Sequence, residues 1–277
     1  MKLLSSDPIF ISEYGELTLN DFQSSLGSLG VSPGDILMVH SRLFAIGKLV
    51  DLTKASYVVD AMIDVLIDCV GNSGTLIFPT FTLSCCRSNF FDLNSAKSEM
   101  GVISETARLR HDSLRTNHPF FSVALIGGGK NKFLDASLET CFGKNSIFGL
   151  LHENNKKGDR QKKVKFLTIG IENPPDAITY IHFIEERMMV PYRYYKFFDG
   201  IKIIDSNEKP YFIEYFARNA DFNNTFNGKK IWALLKGREG VHSSNFGNST
   251  MSLIDEDILY NSIKSEIKKS IDYLYSP

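Results

Sequence analysis

Gly34-Asp35-Ile36-Leu37-Met38-Val39-His40-Ser41 decides the fold. The apolar run Ile36 to Val39 is too short for a core helix, and the chain enters it through a Pro33-Gly34 turn. It reads as a buried strand, and its polar end is placed where a parallel strand usually meets a ligand. Upstream, Leu17 to Leu29 has helical spacing, with Thr18 to cap it and Gly30 to end it. Downstream, an amphipathic helix from Thr53 to Cys69 ends before Gly71, and Gly74 to Thr82 forms a second buried strand. Strand, helix, strand predicts a parallel pair and an α/β fold.

The same logic carries on along the chain. Met100 to Arg108 reads as a helix, and Arg115 to Ser122 as a loop, since Pro119 biases His118 away from helix. Ser122 to Ile126 is a strand closed by three glycines, and Val164 to Ile171 is another buried strand. Pro174-Pro175 then precedes a new helix, with Asp176 or Thr179 to accept from its first free amides. Ile201 to Ile204 and Tyr211 to Tyr215 form a hairpin around Glu208-Lys209-Pro210, and Asp255 to Tyr275 forms a packing helix. With no repeat and no low-complexity segment, the expectation is one domain over residues 1–277.

Bulk composition narrows the class. A 43% hydrophobic content over 277 residues supports a substantial core. Lys plus Arg is 31 against 32 Asp plus Glu, with a pI near 6.6, so no basic field points to nucleic acid or an anionic membrane. Neither an export signal at Met1 to Pro8 nor a long apolar run is seen, and the expected location is the cytoplasm. Cys69, Cys85, Cys86 and Cys141 have neither disulfide nor zinc spacing, so reduced thiols and no metal are expected.

His182 and Glu185 stand three residues apart on one face of the helix after the prolines. An imidazole there can take a proton at neutral pH while the carboxylate orients it, which is general-base chemistry. Such a pair also occurs as a surface pair or as a satisfied, half-buried histidine.

Five segments in order resemble the aminoglycoside 3-N-acetyltransferase family: Gly34 to Ser41, Gly74 to Thr82, Met100-Gly101 with Glu105, Arg115 through His118-Pro119 to Ser122, and His182 with Glu185. The likeness covers roughly residues 15 to 190. It implies that family's own α/β fold, a mixed sheet flanked by helices with a C-terminal hairpin and helix. It also implies N-acyl transfer from acetyl-CoA or another acyl-CoA, with no metal. By resemblance His182 is the base and Glu185 its carboxylate partner. His40, Ser41, Arg42, Thr80, Phe81, His118 and Ser122 fall on the acyl-CoA side. Direct attack by the amine needs no enzyme nucleophile; acylation of Cys85 or Cys86 is the rival mechanism.

Two departures bear on the acceptor: Arg42 replaces a serine of the family pattern, and Thr116 another. A cation at 42 suits a phosphate. With the basic run Lys156 to Lys163, Arg187, Arg193, Lys196 and Tyr192, it points to a nucleotide-linked (dTDP- or UDP-) amino sugar of surface polysaccharide. Glu186, Glu214 and Asp205 are the carboxylates that would instead suit a polycationic aminoglycoside. Glu186, Arg187, Tyr192, Arg193 and Glu214 are the expected acceptor residues, and a non-catalytic protein binding CoA or a nucleotide sugar is the reading from another class.

Overall fold

The computed structural model describes residues 3–157, 163–204 and 210–277. Its centre is a seven-stranded mixed sheet. The strands are β1 (Ile36–Ser41), β2 (Thr75–Pro79), β3 (Leu114–Arg115), β4 (Val123–Gly127), β5 (Val164–Ile169), β6 (Val241–Phe246) and β7 (Ser249–Asp255). They lie in the order β6-β7-β5-β1-β2-β4-β3. β1 is parallel to both neighbours, β2 and β5, and every other pairing is antiparallel.

The longer helices are α1 (Leu19–Leu29), α2 (Ala55–Val70), α3 (Val102–Leu109), α4 (Ile147–Lys157), α5 (Tyr180–Arg187), α6 (Gly228–Leu235) and α7 (Glu256–Lys269). Thr18 caps α1 in a capping box with Asp21, and Gly30 ends it at φ 91°, as the sequence predicts. Two hydrophobic cores lie on opposite faces of the sheet. Leu37 and Val39 of β1 pack under α2, while Ile36 and Met38 pack with α4, α5 and α7. Alternation along one strand thus serves both layers.

Because the chain leaves β1 for β2 through α2 on one face and returns to β5 past α4 on the other, the carboxyl end of β1 is the sheet's switch point. Crevices that take ligands form at such points. Ser41 and Arg42 stand at this end.

Three boundaries differ from expectation. The prolines form only a 3-10 turn, Pro174–Asp176, and the helix proper begins at Tyr180, with neither Asp176 nor Thr179 capping it by its side chain. The C-terminal helix stops at Lys269, and Leu274 and Tyr275 turn back into the core. The hairpin is longer than its alternation suggested, Arg193–Ile204 against Pro210–Arg218, while Asp205 and its bend at Glu208-Lys209 lie outside the described residues. β6 and β7, joined at Gly247-Asn248, were not foreseen. Among the described residues no helix is long and apolar enough to cross a membrane.

Candidate active site

α5 brings His182 to the same edge of the sheet. Its Nδ1 lies 2.7 Å from Glu185 Oε2, one turn along the helix. Glu185 is fully buried, yet every side of its carboxylate is answered: Oε2 also meets Arg193 Nη2 at 2.8 Å, and Tyr275 Oη donates to Oε1 at 3.2 Å. Burial would push Glu185 up, but the hydrogen bond from His182 and the charges of His182 and Arg193 outweigh it and hold the carboxyl below its ordinary value. Arg193 Nη2 also lies 2.7 Å from Nδ1, so the tautomer depends on which partner Nδ1 meets: with Nδ1–H donating to the ionised carboxylate, Nε2 is left as the free base.

The His182 side chain is about one-third exposed (32%), whereas Glu185 is at 0%. Burial of most of the ring lowers its pKa; the Glu185 hydrogen bond opposes this, and the Arg193 charge adds to it. Phe142 packs edge-on against the ring at 5.9 Å between centroids. Behind Phe142, Phe121 (5.2 Å) and Phe81 (4.8 Å from Phe121) continue an aromatic wall to the end of β2.

Two cavities open at the switch point, and Arg42 and Phe44 line both. The larger, about 640 Å³, is mainly apolar, with Leu43, Leu49, Leu52, Val59, Met100 and Val102 in its wall and Ser41, Arg42 and Lys48 as polar groups. The smaller, about 330 Å³, is polar and includes Glu172, Asn173, Asp176 and Asn248. His182 lines neither. On its side of the sheet, His40 Nε2 and Thr168 Oγ1, on register-paired residues of β1 and β5, are buried without hydrogen-bond partners. These two unmet polar atoms line neither cavity and face the side of the sheet opposite the apolar one.

Several expected residues occupy other positions. Thr80, Phe81 and Ser122 have no surface: Thr80 Oγ1 and Ser122 Oγ lie 3.1 Å apart, Arg115 Nη2 donates to the Thr80 carbonyl, and Phe81 is core. None of the three lines either cavity. His118 is also buried; its Nδ1 accepts from the Phe120 and Phe121 amides, and burial lowers its pKa to about 4. His40 is likewise lowered to about 4 by burial, so both imidazoles are neutral.

Of the groups expected to serve an anionic acceptor, Arg42 lines both cavities and Arg187 and Lys196 are exposed, but two others are buried. Arg193 is buried on Glu185 and the Phe216 carbonyl, and Tyr192 is buried against Phe222. Lys163 pairs with Asp255, and residues 158–162 lie outside the described residues. Arg187 is exposed, Glu214 is half-buried and Glu186 is buried. The thiols are poor nucleophiles: burial pushes Cys85 up to about 11 and raises Cys86 and Cys141 as well.

Phe142 and Tyr275 were missed. Neither carries a local pattern, and Tyr275 lies 90 positions from the carboxylate it meets.

The family model described as aminoglycoside 3-N-acetyltransferase matches residues 38–266. A curated relative, aminoglycoside N(3)-acetyltransferase VIII of Streptomyces fradiae, is 27% identical over 140 residues, which is 44% of this chain. The match spans about half (47%) of that relative's length. Among solved structures, AAC-IIIb in binary complex with CoASH aligns with TM-score 0.72 at 20% identity, covering 91% of this chain and 97% of that one. A histidine-to-alanine mutant of AAC(3)-IVa in complex with a gentamicin aligns with TM-score 0.71 at 20% identity, covering 93% and 91%. At such identities the solved structures establish the fold, and the family model, spanning most of the chain, establishes the lineage: this chain belongs to the aminoglycoside 3-N-acetyltransferase family.

Proposed function

We propose that the chain, as one unit over residues 1–277, is an acyl-CoA-dependent N-acetyltransferase whose acceptor is an amine of an aminoglycoside-type amino sugar. The observation that carries this reading is the His182 imidazole, whose Nδ1 lies 2.7 Å from the buried Glu185 carboxylate; in the tautomer that donates to Glu185, Nε2 is the base. An acceptor amine is mostly ammonium at neutral pH. Once the ammonium has shed one proton to solvent, His182 Nε2 takes a second from the nitrogen as it bonds to the acyl carbon and Glu185 stabilises the imidazolium; the acyl C–S bond then breaks and the imidazolium returns its proton to the departing CoA thiolate. Acyl-CoA supplies the thioester. Ser41, Arg42 and Lys48 with the apolar cavity beside them suit its phosphates and pantetheine.

Burial of Arg193 and Tyr192 favours the aminoglycoside acceptor over a nucleotide-linked one. Free-thiol release from acetyl-CoA, followed with gentamicin and separately with a dTDP-amino sugar, tests this. Turnover with gentamicin is expected; turnover with the nucleotide sugar alone would reverse the acceptor assignment.

A further inference from the structure

Three atoms beside the base form a triangle with nearly equal sides. His182 Nδ1 lies 2.7 Å from Glu185 Oε2 and 2.7 Å from Arg193 Nη2, and Arg193 Nη2 lies 2.8 Å from Glu185 Oε2. An ionised carboxylate only accepts and a guanidinium only donates, so the imidazole is the one member whose role is open. If Nδ1 carries the proton, it donates to Glu185 and Nε2 is bare. If Nη2 donates to Nδ1 instead, the ring proton sits on Nε2, and the imidazole meets an incoming amine with no lone pair to take its proton.

A count of hydrogens separates the two cases. Arg193 is held at its other end, where Nη1 donates to the Phe216 carbonyl at 3.0 Å. Its Nη2 carries two hydrogens, and Glu185 Oε2 accepts one. The second has two takers, His182 Nδ1 and Tyr275 Oη, the latter 3.4 Å from Nη2. Tyr275 Oη spends its own hydrogen on Glu185 Oε1 at 3.2 Å, which leaves its lone pairs for the guanidinium. Burial, then the Glu185 charge, push the phenol up to about 12, so this donor keeps its proton. The chain's end sets the ring in place: Tyr275–Ser276 pairs antiparallel with Thr225–Phe226, and Tyr192, Phe222 and Phe226 enclose the Tyr275 side chain.

We propose that Tyr275 is a positioning residue that fixes the tautomer of His182: by accepting the second Nη2 hydrogen it keeps Arg193 from donating to Nδ1, so that Nδ1–H goes to Glu185 and Nε2 is left bare. The inference rests on the reading of His182 as the base, but the tautomer itself is measured without turnover.

Histidine 15N chemical shifts separate a protonated ring nitrogen from a bare one. In the wild-type protein above neutral pH, His182 is expected to show a protonated Nδ1 and a bare Nε2. Tyr275→Phe keeps the ring and its packing and removes only the hydroxyl. Its His182 should shift toward the Nε2–H form, and kcat should fall about tenfold, the change in population that one hydrogen bond sustains, with KM for acetyl-CoA near the wild-type value. A residue that merely packs would lower Tm and leave the tautomer where it was. A wild-type His182 with its proton on Nε2, or a Tyr275→Phe variant with the wild-type tautomer, would each overturn the proposal. The expected tautomers in both proteins, together with no thiol release by the wild type on any amine, would uphold the role of Tyr275 and sink the acetyl-transfer reading alone.

Discussion

Arg193 Nη2 lies 2.8 Å from Glu185 Oε2, both side chains being almost wholly out of water. A guanidinium that could have gripped a substrate instead holds the carboxylate that aims the base. Arg193→Met should therefore strand a buried charge and cost about 3–5 kcal/mol of stability. Urea unfolding measures this, and a variant as stable as the wild type would show that the pair is dispensable.

The same guanidinium also lowers the His182 pKa, after burial. With the folded value below the ordinary 6.5, the imidazole is neutral and competent from about neutrality upward. The acid limb of kcat should then fall below pH 6.5. In Arg193→Met the limb should move to higher pH, because a cation is lost. A limb that moves down, or starts above 7 in the wild type, contradicts this assignment.

His182→Ala should reduce kcat by about 100- to 10,000-fold, the range for a lost general base, with CoA affinity intact. Turnover by stopped thiol release and binding by calorimetry separate the two. Undiminished turnover would favour a base elsewhere, and no turnover in the wild type would favour a binding protein.

Gly170 sits at φ 74° directly after β5, and a Cβ there would lie 2.4 Å from the Arg42 carbonyl. Gly170→Ala should add backbone strain of about 1–3 kcal/mol and displace Arg42 at the mouth of both cavities. A lowered Tm together with weaker CoA binding is expected. A lowered Tm with unchanged CoA binding would place the ligand away from Arg42.

Tyr180, His152 and Asn155 all converge on the buried Glu256, tying α4 and α5 to α7. Glu256→Leu leaves these polar groups without their acceptor, and each buried orphan costs about 1–3 kcal/mol. Thermal unfolding should register a large loss, with Tyr180→Phe costing much less.

The sequence by itself determined the layers. Four apolar residues from Ile36, the Thr18 and Gly30 caps, and the spacing of His182, Glu185 and Glu186 are local facts, and local sterics and periodicity translate them into strand, helix and shared face. Only the tertiary structure decided which charges are spent inside the protein. Arg193 and Tyr192 look free in the sequence and are buried. The physical reason is that electrostatic partnership depends on distance in space and on access to water, and pairs such as Glu185 with Tyr275 form only when ninety positions of chain fold back upon themselves.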